Sequence, residues 1–283
     1  MNAKSTKNSD AQTDVLALPE GYRAPPKVRS FTFAEVVAAA GRGMQDFRSA
    51  GLTSALFGIA YAIGGIIVIL TAAWSDLTWI SYPLATGFAL IGPFAAVGLY
   101  DISRRLEAGT PLRLSEIMGV VWAQHRREIG WMAFVVLFVF TAWMYQVRLL
   151  LALFIGFEPI ASYADFFHAL FTTPNGLIFL AVGHVVGAIL AVILFSLSVI
   201  SFPILLDRDI DFITAMITSV QTVVKNPLPM LGWAFVVVML LIAASLPMFL
   251  GLVVVLPILG HATWHIYRMA IEPEEAPAPA KGK

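Results

Sequence analysis

The run from Met230 to Ala270 constrains this chain most, because it is almost wholly apolar yet too long to be one element. As a single helix it would extend about 60 Å at 1.5 Å per residue, against a hydrocarbon core of about 30 Å. Tilting cannot absorb that excess. Pro247, after Ala243-Ala244-Ser245-Leu246, is the expected break, giving two helices of roughly 18–20 residues each. With four further hydrophobic stretches ahead of this run, the expected fold is all-α: a polytopic transmembrane helix bundle of six spans. They are placed near residues 51–73, 79–100, 130–153, 177–203, 229–247 and 248–268. Composition agrees, since charged residues make up 13% of the chain, against about 25% in soluble domains.

Basic residues set the orientation. Of the 18 lysines and arginines, 17 fall within residues 1–50, 101–129, 204–228 and the C-terminal end from Arg268. The intervening loops, 74–78 and 154–176, carry none. Basic loops stay on the cytoplasmic side. The expected location is therefore a bacterial inner membrane, with both termini cytoplasmic. A five-span alternative would put the tail outside, against that charge distribution. Residues 1–29 read as a disordered cytoplasmic arm containing Pro19, Pro25 and Pro26, and 30–270 as the membrane domain. Residues 271–283 form a low-complexity tail. The only apolar run in the arm, Val15 to Leu18, is too short for a signal h-region. A net charge of zero gives no global argument for nucleic acid. The absence of cysteine excludes disulfides, iron–sulfur clusters and thiolate metal sites. The partners implied are the lipid bilayer and, as a candidate, another membrane protein or a second copy of the chain.

An internal pattern recurs before alternate spans. Phe33, Val36, Val37, Ala40 and Met44 fall at i, i+3, i+4, i+7 and i+11. Leu114, Ile117, Met118 and Val121 repeat the first four positions, and Ile213, Met216, Ile217, Val220 and Val224 repeat all of them. This spacing predicts amphipathic helices over 33–47, 114–124 and 212–224, lying at the cytoplasmic face with their apolar stripes toward the bundle or the acyl boundary. Two of the spans that follow begin alike, Gly130-Trp131-Met132-Ala133-Phe134 and Gly232-Trp233-Ala234-Phe235. Pro93, Ile102 and Arg104 also match Pro257, Ile266 and Arg268 at a constant offset of 164. The economical reading is three hairpins, each preceded by an amphipathic helix. It makes Thr218, on the face opposite Ile217, the tolerant position for a charge.

Three motifs carry a resemblance. They are Ser201-Phe202-Pro203-Ile204-Leu205-Leu206-Asp207-Arg208, Asn226-Pro227, and Leu259-Gly260-His261-Ala262-Thr263-Trp264-His265-Ile266-Tyr267-Arg268. Over roughly residues 28–270 the chain resembles a bacterial family of predicted integral membrane proteins of unknown function. Some members of that family carry a label linking them to subunit one of cytochrome c oxidase. Such a subunit needs more histidine ligands than the five histidines here supply, and His125 falls in a cytoplasmic linker. The label is not inherited.

His261 and His265, four residues apart, share one helical face and are the candidate cofactor-binding pair. The plainer reading makes them, with Trp264 and Tyr267, an interfacial cluster. No cofactor and no metal is expected. His184, within Gly183-x-x-x-Gly187, reads as a packing residue bonding a neighbouring helix. Arg148 reads as a snorkelling side chain or a partner of Glu158. Asp207, Asp209 and Asp211 lack the glycine and glutamate of a calcium loop, so Asp209 or Asp211 is expected to cap the third amphipathic helix. Residues 157–171 read as a short interfacial helix with Phe166, Phe167 and Leu170 toward lipid. No nucleotide loop, H-E-x-x-H or G-x-S-x-G occurs.

The expected function is a non-catalytic scaffold or assembly partner. The alternatives are a small transporter or channel built from repeated hairpins, and a haem- or metal-binding redox subunit through His261 and His265. The topology is tested by reporter fusions. Fusions after Ala3 and Lys283 should report cytoplasm, and those near Ser75 and Asn175 periplasm. A periplasmic C-terminus would sink the six-span reading.

Overall fold

A computed structural model describes residues 26–74, 95–124, 128–156 and 163–273 of the protein. The helices follow in the order α1 (Phe33–Ala50), α2 (Leu52–Trp74), α3 (95–107), α4 (Leu114–Gln124), α5 (Glu128–Phe154), α6 (Tyr163–Thr172) and α7 (Pro174–Ser198). They continue with α8 (Ser201–Asp207), α9 (Phe212–Lys225), α10 (Pro227–Ser245) and α11 (Leu252–Ala270). Local chemistry explains the starts. Thr32 and Glu35 form a capping box on α1, satisfying amide groups that have no partner within the helix. Asp211 accepts from the Thr214 amide and caps α9, as expected from the aspartate cluster. Thr173 caps α7 ahead of Pro174 at the first helical position.

Among the described residues, three helical segments are long and apolar enough to cross a membrane: Glu128–Phe154, Pro174–Asp207 and Pro227–Ser245. A fourth arises if α1 and the first part of α2, bent by 101°, count as one. The expectation of six spans in three hairpins is therefore only partly met. Most of the span placed at 79–100 lies outside the described residues. The last one, α11, ends where expected but contains His261, His265 and Arg268. Its neighbours are chiefly α1 and α2 rather than open surface, so its composition is that of a protein core. The break at Pro247 is present. Beyond Ser245 the chain turns through Met248 and Phe249, both in the left-handed region with φ 52° and 61°. Gly251 then lies where a Cβ would come 2.6 Å from Cα of Ala244, so the reversal is tight.

The amphipathic segments are helices at the expected positions, but each apolar stripe turns inward only in part, at Val36 in α1 and Ile117 in α4. In α9, Ile213 and Ile217 are each 53% exposed, while Ala215, Thr218, Ser219, Thr222 and Val223 are buried. In α1, Phe33 and Val37 are exposed, and Val36, Ala39, Gly43 and Ala50 face the protein. Where lipid is the solvent, burying apolar area between helices gains little. Small and hydroxylated residues line the contacts instead. The Ile217 and Thr218 assignment is thus reversed. The short helix α6 also departs from expectation, since Leu170 is buried against the start of α7 rather than facing lipid. The side chains of Phe166 and Phe167 lie outside the described set.

Two glycines bring α11 into its setting. A Cβ on Gly43 would lie 2.5 Å from the Ala262 amide nitrogen, and one on Gly58 would lie 2.6 Å from the Val253 carbonyl. So α1 and α2 meet α11 backbone to backbone. The segments flanking α1 and α11 close the arrangement. Val28 bridges Ile271, the Arg29 amide donates to the Ala270 carbonyl at 2.7 Å, and the Glu272 amide donates to the Lys27 carbonyl at 3.0 Å.

The burial pattern sets an expected outcome. Thr218→Asp places a carboxylate at a site 1% exposed, where its hydroxyl now donates to the Thr214 carbonyl, and should destabilise by several kcal/mol. Ile217→Asp, half exposed, should lose far less in detergent. Equal thermal shifts for the two variants would contradict this orientation of α9.

Candidate functional site

The site forms where the C-terminal half of α11 meets α1, α2 and α3. The constant 3.6-residue turn puts His261 and His265 on one face, and the contact at Gly43 brings Asp46 of α1 alongside them. His261 is fully buried between two serines. Its Nε2 lies 2.6 Å from Ser54 Oγ and its Nδ1 2.8 Å from Ser103 Oγ. Ser103 donates to Asp46 Oδ2 at 2.7 Å, and His265 Nε2 lies 2.7 Å from the same oxygen. These partners fix the proton order. With its one hydrogen spent on Asp46, Ser103 accepts from His261 Nδ1–H. His261 Nε2 is then an acceptor for the Ser54 hydroxyl. His265 donates from Nε2 to Asp46. Burial pushes the Asp46 carboxyl up, but hydrogen bonds from His265 and Ser103 outweigh it and hold the group below its ordinary value.

A second layer of charge surrounds this chain. Glu107 faces His265 Nδ1 at 3.5 Å and pairs with Arg268 at 3.3 Å. Arg268 also reaches Asp207 at 3.3 Å, which accepts from the Tyr267 hydroxyl at 2.5 Å. Asp101, wholly buried, is held by Arg104 at 2.5 Å and Arg105 at 2.8 Å, and Arg105 continues to Glu116 of α4 at 2.7 Å. Arg104 further donates to the Leu206 carbonyl at 3.2 Å. The residues matched at an offset of 164 thus converge, because Arg104 and Arg268 both reach the end of α8. Ile102 and Ile266 are both fully buried.

The quoted motifs gather here. Residues 201–206 are all buried, and Asp207 anchors Tyr267 and Arg268. Asn226 accepts from the Phe31 amide and donates to the Arg29 and Thr222 carbonyls, tying the N-terminal segment to the α9–α10 corner. Trp264 and Tyr267 are 0% and 1% exposed, so they are core residues rather than an interfacial belt. His184 is exposed, and its Nδ1 lies 2.6 Å from the Leu180 carbonyl of its own helix, so it bonds no neighbouring helix there. Arg148 is exposed on α5, and Glu158 and His125 lie outside the described residues. Sequence reasoning found His261 and His265 but missed Ser54, Ser103, Asp46 and Glu107. Of these, only Asp46 and Glu107 carried a signal, as acids beside apolar stretches.

Beside His265 the network opens into a cleft of about 560 Å³, lined by Arg29, Glu35, Arg42, Glu107 and Arg268 together with Ala38 and Met269. Among the described residues no group of three or more His, Asp or Glu is arranged to hold a metal ion.

Apolar side chains turned outward, with hydroxyl, imidazole and carboxylate groups turned inward, define a multi-pass helical integral membrane protein. Residues 81–207 match the model of a family described as "Predicted integral membrane protein (DUF2189)", in agreement with the resemblance carried by the sequence motifs. The match takes in Asp101, Ser103, Arg104, Glu107 and Asp207, while Asp46, Ser54 and α11 lie beyond it. No curated protein and no solved structure matches the chain.

Removing one hydroxyl tests whether the network acts as a unit. Ser103→Ala removes one partner of the fully buried His261 ring and a donor to Asp46, and should cost about 1–3 kcal/mol. Ser198→Ala is the control, since that hydroxyl bonds only carbonyls of its own helix, at Leu194 and Phe195. Its thermal unfolding should stay within a few tenths of a kcal/mol of the parent. Matching losses would mean the network is not coupled.

Proposed function

We propose that the protein is a non-catalytic binding or scaffold protein of the bacterial inner membrane, with both termini cytoplasmic and α11 held against α1–α3 by its polar network. One observation carries the reading: the groups that resemble reactive ones are enclosed and already satisfied. A serine 2.6 Å from an imidazole, itself oriented through a second hydroxyl to a carboxylate, has the connectivity of an activated nucleophile. Yet Ser54, Ser103 and His261 are each 0% exposed, and none of them lines the cleft. A nucleophile must come within about 3 Å of the atom it attacks. Here the hydrogen bonds join helices instead. The same saturation argues against the redox alternative, because His261 has no ring nitrogen left for a metal or haem.

The transporter reading draws support from one specific feature, the concentration of ionisable residues beside a cleft. Against it, the three long apolar segments bring no ionisable side chain into that cleft.

The test combines reactivity and assembly on protein purified in mild detergent. A fluorophosphonate should leave the intact mass unchanged, the visible spectrum should show no Soret band, and the protein should migrate with a stoichiometric membrane partner or as a homo-oligomer. A covalent adduct on Ser54, or a Soret band lost in His261→Ala, would overturn the reading.

A further inference from the structure

We infer that the cleft beside His265 is a binding site for a phosphate-type oxyanion. The geometry of α1 comes first. At 3.6 residues per turn, Glu35, Ala38 and Arg42 share a face that lies roughly 160° around the helix from Phe33, Val37, Ala40 and Met44. The latter stripe includes the exposed apolar residues Phe33 and Val37, while the former lines the cleft. A helix with its apolar stripe in the acyl boundary therefore turns the cleft toward water. The bend of 101° to α2 fits, since a crossing α2 leaves α1 along the membrane plane.

The chemistry follows from how the lining groups are used. Three arginines and two glutamates line the cleft, while Asp207 behind Arg268 and Asp46 behind His265 lie outside its lining. Both oxygens of Glu35 are engaged, one by Arg29 at 2.8 Å and the other by the Thr32 amide and hydroxyl at 2.8 and 3.0 Å. Glu107 is paired with Arg268 and faces His265. Arg42 makes no ion pair among the described residues. The cleft thus offers one uncommitted guanidinium and the outer donors of Arg29 and Arg268. Planar guanidinium forks match phosphate oxygens in paired hydrogen bonds, which favours an oxyanion over a cation or an apolar ligand. Such an anion competes with Glu107 for Arg268. Glu107 also faces His265, which holds Asp46, so occupancy reaches the buried network through Glu107 and that imidazole.

The same oxyanion could be a small phosphate compound in water or a lipid headgroup, and the aqueous source is favoured by the face of α1 that the cleft uses. That preference rests on the cytoplasmic placement proposed above, whereas the site rests on the lining residues alone. The full-length protein in detergent is titrated with inorganic phosphate at constant ionic strength, and thermal unfolding is followed by tryptophan fluorescence. A saturable rise in Tm is expected. Arg42→Gln should fold with an unchanged Tm in chloride and bind phosphate roughly tenfold more weakly or worse, as for loss of one charged hydrogen bond. Arg113→Gln, away from the cleft, should respond like the parent. A parallel series in nanodiscs of phosphatidylglycerol or phosphatidylcholine separates the sources. A rise confined to phosphatidylglycerol and lost in Arg42→Gln supports the site with a headgroup as its occupant. No rise with either probe, or a rise that Arg42→Gln leaves intact, overturns the proposal. A fluorophosphonate adduct on Ser54 would overturn the non-catalytic reading without altering this titration, so the two can fail separately.

Discussion

The backbone contact between α1 and α11 at Gly43 and Ala262 is the constraint on which the polar interior depends. It brings Asp46 within 2.7 Å of both Ser103 and His265. Any side chain larger than hydrogen at position 43 must push one backbone aside, and a displacement of even an ångström breaks hydrogen bonds of this length. The carboxylate would then be enclosed without donors, which is far more costly than leaving it in water. Close packing and polar satisfaction are therefore one requirement here. The glycine sets the distance, and the acid needs it.

Much of the fold could be read from the chain. The helices over 33–50, 114–124 and 212–225, the break near Pro247 and the capping role of Asp211 all follow from local spacing and turn chemistry. What spacing could not give is which face turns inward. A stripe such as Ile213, Ile217 and Val224 has the same period whether it meets protein or lipid, and only a neighbouring helix decides. Thr218 and Ser219 were legible as small polar positions. Their burial follows from treating lipid, not water, as the solvent outside.

The site was legible only in part. His261 and His265 stood out because they lie four residues apart on an apolar helix. Their partners come from positions 158 to 219 residues away in sequence, and serines leave no periodic trace. The offset pattern relating Arg104 to Arg268 carried a hint, since both arginines end at the same turn of α8. Its meaning needed α8, whose residues 201–206 are all buried.

The pairing of Val28 with Ile271 has a consequence for how the protein folds. Like it, the bond between Asp46 and His265 joins distant residues, 219 positions apart in sequence. Closing a loop of that length has an entropic cost that the contacts it makes must offset, and contacts so distant in sequence form slowly. The docking of α1 on α11 is therefore expected late in folding, and until it happens Asp46 lacks the donors that satisfy it.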